Sequence, residues 1–436
     1  MAIGGGTWET QNKILPGMYA NFVSLARATA ARSDRGIATV PMQLDWGALG
    51  EVTEADGSDF QRSSMTLFGY DFTAPEMRNL RELYKNIRLG YIYRMGTGGT
   101  KATCAYATAK HAGIRGNDLM VIIAENPDDS STKDVMLKLG DTVVSTQTVS
   151  GAAALVDNDF VVWDKEESLS NTAGTPLTGG VNPTVTNADY QAYLDVIEGY
   201  NFHAIGCPSD ETAVKGLFAA FTKRMRDERG VKFQLVSYNN PADHEGVVDL
   251  LNKVVDEGVP EYSAIYWVTG VIAGTAVNAS AQNNIYDGEY TLDIKHTQRQ
   301  LEAAMASGQF AFHRVGRNEI RVLDDINSFI SFTAEKSKDF GKNQTVRVID
   351  QIANDVAVLF RTKYLGAIPN DPDGRVSLWV DIVKIHTDLQ TKRAITGFVS
   401  DDITVEPGDG KDAVLADALI QIVNAMSKLY LRVTVA

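Results

Sequence analysis

Six histidines, two cysteines and a few paired carboxylates are the side chains of this 436-residue chain that could carry chemistry. His111, His203, His244, His296, His313 and His386 never fall three or four residues apart, so no two share a helix face as metal ligands would. His244 stands between Asp243 and Glu245, but adjacent side chains on a helix diverge, and the stretch reads as a helix start. Cys207 precedes Pro208 with no basic neighbour to lower its pKa, which marks buried filler and not a nucleophile. With Cys104 it is too little for a disulfide framework or a zinc cluster. Asp324-Asp325 and Asp401-Asp402 have the form of paired carboxylates, but solvated turns account for both. Two loops could face a phosphate. Gly206-Cys-Pro-Ser-Asp-Glu211 lacks the G-x-G-x-x-G spacing and sets Asp210 and Glu211 where a helix N-terminus should attract an anion. Gly96-Thr-Gly-Gly-Thr-Lys101 lacks the glycine before lysine of a Walker loop. No G-x-S-x-G elbow occurs. The sequence therefore points to no catalytic, cofactor-binding or metal site.

The elements around these residues alternate in kind. Residues 1–21 read as an arm, with a glycine triplet, Trp8 and a Pro16-Gly17 turn. Strand-like runs follow at Tyr19–Leu25 and Ile37–Leu44, and Pro41, which cannot donate to a ladder, places the second at an edge or bulge. Thr73-Ala-Pro-Glu76 has the form of a capping box, after which Met77, Leu80, Leu83, Tyr84 and Ile87 recur at helical spacing. Threonine, valine, glycine and aspartate dominate residues 96–183. Short runs at Leu119–Ala124, Asp134–Leu139, Thr142–Val149 and Phe160–Trp163 predict an inserted all-β module ending in a loop, Asn171–Gly180. From Asn187 the text predicts helices at Asp189–Glu198, from Ser209 to Met225, and through Val247, Leu250, Leu251, Val254 and Val255. Strands are predicted at Phe202–Ile205, Phe233–Val236 and Ile265–Val271, an order that implies a parallel sheet with right-handed crossovers.

A helix at Gln298–Met305 and a hairpin of Phe310–Arg314 with Ile320–Leu323 follow. Helices at Gln344–Tyr364 and Arg375–Gln390 come next, joined by a turn at Asp371-Pro-Asp-Gly374. Residues 414–426 fit helix and strand equally. Leu429, Leu431, Val433 and Val435 then alternate with Tyr430, Arg432 and Thr434, a strand that must pair with something. The composition, 41 basic and 55 acidic side chains with 44% hydrophobic residues, fits a folded, soluble, intracellular chain of several domains. A net charge of −14 argues against a nucleic-acid binder. The N-terminus lacks the pattern of a signal peptide, and the charge-free stretch Tyr262–Tyr286 is too polar to span a membrane.

Several blocks in order carry a resemblance. They are Gly36-Ile-Ala-Thr-Val-Pro-Met-Gln-Leu-Asp-Trp-Gly47, Ile272-Ala-Gly-Thr-Ala-Val-Asn-Ala-Ser280 with Tyr286-Asp-Gly-Glu-Tyr290, and Phe312-His-Arg314 ahead of Arg321-Val-Leu-Asp-Asp-Ile-Asn-Ser328. Val348-Ile-Asp-Gln-Ile-Ala-Asn-Asp355, Lys363-Tyr-Leu-Gly366, Pro369-Asn-Asp-Pro-Asp-Gly-Arg375, Thr404-Val-Glu-Pro-Gly408 and Met426-Ser-Lys-Leu-Tyr430 continue them. Over nearly its whole length the chain resembles the contractile tail sheath proteins of myophages and phage-derived bacteriocins of Gram-positive bacteria. The resemblance implies a multi-domain α/β fold with a discontinuous sheath core. Its parts would be an arm at 1–21, core at 22–95, an inserted β-rich domain at 96–183, an α/β crossover domain at 184–325, core again at 326–427 and an arm strand at 428–436. It implies a non-enzymatic subunit without cofactors, stacked as hexameric rings around an inner tube, with baseplate and tail terminator proteins as further partners. Terminal arms bearing Trp8, Ile14, Tyr19, Leu429, Leu431, Val433 and Val435 would exchange strands between copies. Residues 414–426 would be strand, although Asp417-Ala-Leu419 alternates less cleanly and leaves the register open. Lys384, Lys392 and Arg393 would face the tube or solvent. Assembly would take place in the host bacterial cytoplasm, and the particle would be released on lysis. The alternative on sequence alone is a cytosolic α/β nucleotide-binding protein or enzyme.

Overall fold

The computed structural model describes residues 35–317 and 319–435. The expected strand Tyr19–Leu25 lies outside them. A seven-stranded sheet forms the centre, in the order Gln309–Phe310, Val247–Leu250, Gln234–Tyr238, Ala204–Cys207, Ile37–Met42, Leu89–Arg94 and Val52–Asp56, with only the last strand antiparallel. Four strands from after the inserted module and three from before it thus join in one sheet, meeting where Ala204–Cys207 pairs with Ile37–Met42. Side chains leave it alternately to two cores. Ala38, Val40, Val236 and Val248 join one core, with Phe60 of α1 (Gly57–Phe68), Leu80 of α2 (Arg78–Tyr84) and Trp267 of α5 (Ile265–Gly274). Ile205, Leu235 and Val247 join the other, with Tyr193 of α3 (Asn187–Ile197) and Phe218 of α4 (Thr212–Lys223). A short helix, α6 (Gln298–Ala306), and the hairpin Phe312–Val315 with Glu319–Val322 complete this part.

Residues 101–176 form a β-sandwich. One sheet runs Thr172–Pro176, Leu119–Glu125, Lys133–Leu139, Thr142–Val149, and the other Lys101–Thr103, Ala107–Ala112, Val161–Trp163. Strict alternation in Leu119, Val121, Ile123 and Val135, Leu137, Leu139 supplies its core. The C-terminal part packs α7 (Asn343–Leu359) and α8 (Pro372–Thr391) on two small ladders. Ile395–Thr396 pairs with Gln421–Ile422, and Ile403–Pro407 pairs with Val414–Ala418. The mixed α/β, multi-domain architecture with a β-sandwich is the one the sequence implied, and residues 414–418 are strand.

Several local expectations are corrected. Val247–Leu250 is a strand and Ile265–Gly274 a helix, the reverse of the sequence reading. Nearly every residue of α5 is buried, so it has no polar face to reveal a helical period, and its β-branched content reads as strand. Its Gly270 and Gly274 let α2 come close, since a Cβ on Gly274 would lie 1.8 Å from Asn86 O. Pro41 sits in the central strand and not at an edge. The ladder to Ala204–Cys207 is registered only at Ala38 and Thr39 and ends before the proline. Thr73 does not cap a helix: its hydroxyl donates to Asp71, and the chain enters α2 through a 3-10 turn at Pro75–Met77. Helix α1, unforeseen, is capped by Asp56, whose carboxylate accepts from Ser58 N and Asp59 N. Asn171–Gly180 includes the edge strand Thr172–Pro176, where a proline is tolerated. Asp371-Pro-Asp-Gly374 is the first turn of α8, with Asp371 as its N-cap and the proline in the position its missing N–H suits.

Candidate assembly surfaces

The chemistry-bearing residues are occupied structurally. Asp324 and Asp325 are buried, not solvated turn residues. Asp325 accepts from Ala281 N (2.9 Å), Asn343 Nδ2 (2.9 Å) and Arg347 Nη2 (3.3 Å), and Asp324 pairs with Lys342 at 2.5 Å. Asp401 and Asp402 do lie in a surface 3-10 turn, where Asp402 accepts from Val399 N. His244 is in the loop before strand Val247–Leu250 and does not start a helix. Its ring approaches Asp227 (3.2 Å) and Glu245 (3.8 Å), a set of ligand-type side chains. Nδ1 accepts from Gly246 N at 2.9 Å, so in the neutral ring the proton sits on Nε2 and points at Asp227. That leaves no imidazole lone pair for a cation, and Lys336 already pairs with Glu245 at 2.8 Å. Burial holds His244 below the usual histidine range and pushes the Cys207 thiol up to about 12.

What the geometry builds instead is a fixed C-terminal platform with a loose end. The platform is bolted to the central sheet by buried polar contacts. Arg226, in the π-helical turn Arg224–Glu228 that continues α4, forks onto Asp350 of α7 at 2.7 and 2.8 Å, with both side chains almost fully buried. Gln234 Nε2 of the sheet donates to Asn343 Oδ1 of α7 at 2.8 Å, and Arg347 Nη1 donates to Ala279 O at 2.9 Å. Periodicity carried no sign of these contacts, because Arg226, Asn343, Arg347 and Asp350 are polar residues at core positions.

Among the described residues the two platform ladders have two strands each, so each has main-chain edges with no strand beside them. Beyond Ile422 the chain is held once more. Val423 N donates to Ala394 O (3.0 Å), and Gln344 of α7 grips the backbone from both sides, donating to Val423 O (3.1 Å) and accepting from Ala425 N (2.9 Å). A groove of about 470 Å³ opens where the tail leaves, walled by Asn283, His313 and Val322 against Ala425 and Met426. From Val423 to Val435 no regular secondary structure is assigned. Leu429, Leu431, Val433 and Val435 are 88, 78, 73 and 90% exposed. Four apolar side chains at alternate positions, all in water, are what a strand looks like without its sheet.

The remaining sequence-selected residues fall as follows. Trp8, Ile14 and Tyr19 lie outside the described residues. Lys384 is exposed on the same face of α8 as exposed Val376 and Val380. Lys392 caps that helix, with its carbonyl accepting from Asn278 Nδ2 at 2.7 Å, and Arg393 follows at φ +63°, exposed. All three therefore lie along α8 or at its C-terminal end. Among the described residues no helix is long and apolar enough to cross a membrane.

Known proteins match this architecture part by part. Residues 97–182 match the phage tail sheath protein beta-sandwich domain, 184–328 the phage tail sheath protein central domain and 335–436 the phage tail sheath C-terminal domain. The phage-like element PBSX protein XkdK of Bacillus subtilis is 33% identical, over 99% of both chains. The crystal structure of a sheath tail protein from Desulfitobacterium hafniense is 36% identical and superposes with a TM-score of 0.79, covering 96% of this chain and 99% of that one. One from Listeria innocua is 32% identical at the same TM-score, covering 91% and 95%. The anti-feeding prophage helical sheath in its contracted state shares the fold alone, at 12% identity and a TM-score of 0.56. Sandwich, central sheet and C-terminal platform each have their counterpart in order along the chain, and the chain belongs to the contractile phage tail sheath protein family.

Proposed function

We propose that this chain is the structural, non-enzymatic subunit of a contractile tail sheath, that it stacks as hexameric rings around an inner tube, and that contraction drives the tube through a target envelope. The observation that carries the reading is the exposed alternating segment Leu429–Val435, which has no regular secondary structure, beside two-stranded ladders whose outer edges are unpaired among the described residues. In a polymer, that strand adds to a ladder of a neighbouring copy. Main-chain hydrogen bonds then supply a link that survives rearrangement of the subunits, and four apolar side chains supply burial. The arm at 1–21, with Trp8, Ile14 and Tyr19, completes the exchange, and Lys384, Lys392 and Arg393 face the tube. The 22–95, 184–325 and 326–427 segments act as the ring-forming body, and 96–183 as the outward domain. Contraction is a rigid-body rotation of subunits on their arms, driven by contacts better packed in the contracted state, with no nucleotide spent. Partners are further copies, the tube protein, and the baseplate and tail terminator. Assembly takes place in the host bacterial cytoplasm, and the particle is released on lysis.

Negative-stain microscopy of the purified chain tests the reading. Tubes or stacked rings are expected, and a chain cut after Ser427 is expected to stay as single subunits. Full-length tubes from the cut chain would remove the strand-exchange argument.

A further inference from the structure

The inserted β-sandwich is joined to the central sheet by much more than its two connecting chains. The glycine-rich run at 96–101 and the returning segment 178–184 zip into a neck. Its three reciprocal backbone pairs are Thr97 with Thr184, Thr100 with Val181 and Thr103 with Thr178, all at 2.9–3.1 Å. Gly96 and Gly99 hold φ of +119° and +82°. A Cβ would lie 2.7 Å from Pro183 Cβ at the first and 2.9 Å from Val181 O at the second. The run that resembled a phosphate loop is thus the hinge-side wall of a closed neck.

Behind the neck, one side chain of the central part crosses the boundary. Trp46, from the loop after strand Ile37–Met42, is 0% exposed and belongs to the sandwich core. Its ring stands edge-on to His111 at 5.1 Å and stacks on Phe160 at 6.2 Å, while Nε1 donates to Thr66 O of α1 at 3.2 Å. Arg94, the last residue of strand Leu89–Arg94, is buried beside it. Its Nε and Nη1 donate to Leu44 O (2.8 Å) and Gly47 O (2.6 Å), which fixes the loop carrying Trp46, and Nη2 donates to Ala112 O of the sandwich at 2.7 Å. A third tie runs alongside. Arg115 of the sandwich lies 4.3 Å over the Tyr70 ring and donates to Gly69 O at 2.6 Å. Tyr70 Oη donates to Asp45 (2.8 Å), whose other oxygen accepts from Asn182 Nδ2 (2.7 Å).

We propose that Trp46 and Arg94 are the positioning residues that weld the outer sandwich to the central sheet as one lever, so that force passes between the two through this joint and the neck does not bend. The proposal deepens the sheath reading above and rests on it for its mechanical meaning. Trp46 serves because a large ring that the central part lends to the sandwich core cannot be withdrawn without opening a cavity there. Arg94 serves because its three donors satisfy carbonyls on both sides, and a shift of either side leaves buried acceptors unpaired.

Hydrogen exchange followed by mass spectrometry on the unassembled full-length chain tests this. Polymerisation is not needed for the readout, so a chain that never forms tubes counts against the sheath reading while the joint is still measured. In the natural chain the neck peptides at 97–103 and 178–184 are expected to exchange as slowly as strands Ala204–Cys207 and Gln234–Tyr238. Trp46→Ala and Arg94→Met are each expected to speed the neck at least about 100-fold with those strands unchanged, and Trp46→Phe to restore most of the protection. Loss of protection in the sheet together with the neck would count against the proposal, because the variants would then have loosened the whole body and not the joint. A neck that exchanges fast in the natural chain, or one indifferent to Trp46→Ala and Arg94→Met, overturns the proposal.

Discussion

Glu82 offers a pH-dependent test of how the central part is held. It lies on α2, fully buried, and its carboxylate accepts from Tyr286 Oη at 3.0 Å and from Glu289 N. The loop Tyr286–Tyr290 is further pinned by Arg81 to Glu289 at 2.7 Å and by Trp267 Nε1 to Asp287 at 2.8 Å. Burial outweighs these bonds and pushes the Glu82 carboxyl up to about 7 from an ordinary 4.5. The folded state then holds this proton more tightly than the unfolded chain. The contribution of Glu82 is most favourable below pH 4.5, weakens through the window from 4.5 to 7, and is flat above it. At about 1.4 kcal/mol per pH unit, the loss across the window is roughly 3 kcal/mol. The total pH profile will not show this directly. Asp249, pushed up to about 6 by burial, adds a slope of the same sign. His111 and His203, pushed down to about 4 and about 3 by burial, add slopes of opposite sign that end near pH 6.5.

The difference between the natural chain and Glu82→Gln isolates the group. Gln keeps the shape and can accept only one of the two hydrogen bonds, a cost of about 1 kcal/mol at every pH. Urea unfolding at pH 4.5, 6 and 8 should therefore show the variant slightly less stable at 4.5, and more stable by about 2 kcal/mol at 8. A difference that stays constant with pH would refute the reasoning, since Glu82 would then titrate alike in the folded and unfolded states.

Four other outcomes are expected. Arg226→Met strands Asp350 in the junction and should cost about 3–5 kcal/mol in urea unfolding, with Arg226→Met/Asp350→Leu recovering most of it. Gln344→Ala releases the backbone at Val423 and Ala425 and should cost about 1–2 kcal/mol while exposing residues 423–427 to limited proteolysis. Gly274→Ala forces α5 away from Asn86 O and should lower stability by about 1–3 kcal/mol in thermal unfolding. Reversing Lys384, Lys392 and Arg393 to glutamate should abolish co-assembly with the tube protein in pull-down while tubes of the chain alone still form; unchanged co-assembly would remove these residues from the tube surface.

Where burial is one-sided, the chain could be read directly. Leu119–Glu125 and Lys133–Leu139 alternate because one face meets a core and the other water, and α8 shows a helical stripe for the same reason. The reading failed where burial is total. In α5 a helix without a wet face carries no period, and Val247–Leu250, buried throughout, has no alternation to mark it as a strand. The polar residues that matter most to the assembly of the parts were also silent. Asp325 reads as a solvated turn residue, and Asn343, Arg347 and Asp350 carry no signal at all, because nothing local says that their partners lie 18 to 124 residues away. Trp46 was visible within a resemblance block, but its place in the core of another domain follows only from the fold. The alternation of Leu429, Leu431, Val433 and Val435 is complete in the sequence, yet these residues form no regular strand in the structure, because a lone segment has no ladder to join.

On the proposed function, the exposed alternating segment Leu429–Val435 joins copies into a sheath. Electron microscopy of the full chain and of Leu431→Asp/Val433→Asp, assembled with and without the tube protein, tests it most directly. The account expects long tubes from the natural chain, with Leu429–Val435 paired to a ladder edge of an adjacent copy in the resolved map, and only single, folded subunits from the variant. Tubes of normal length from the variant, or a map in which the tail runs free in solvent, would contradict it.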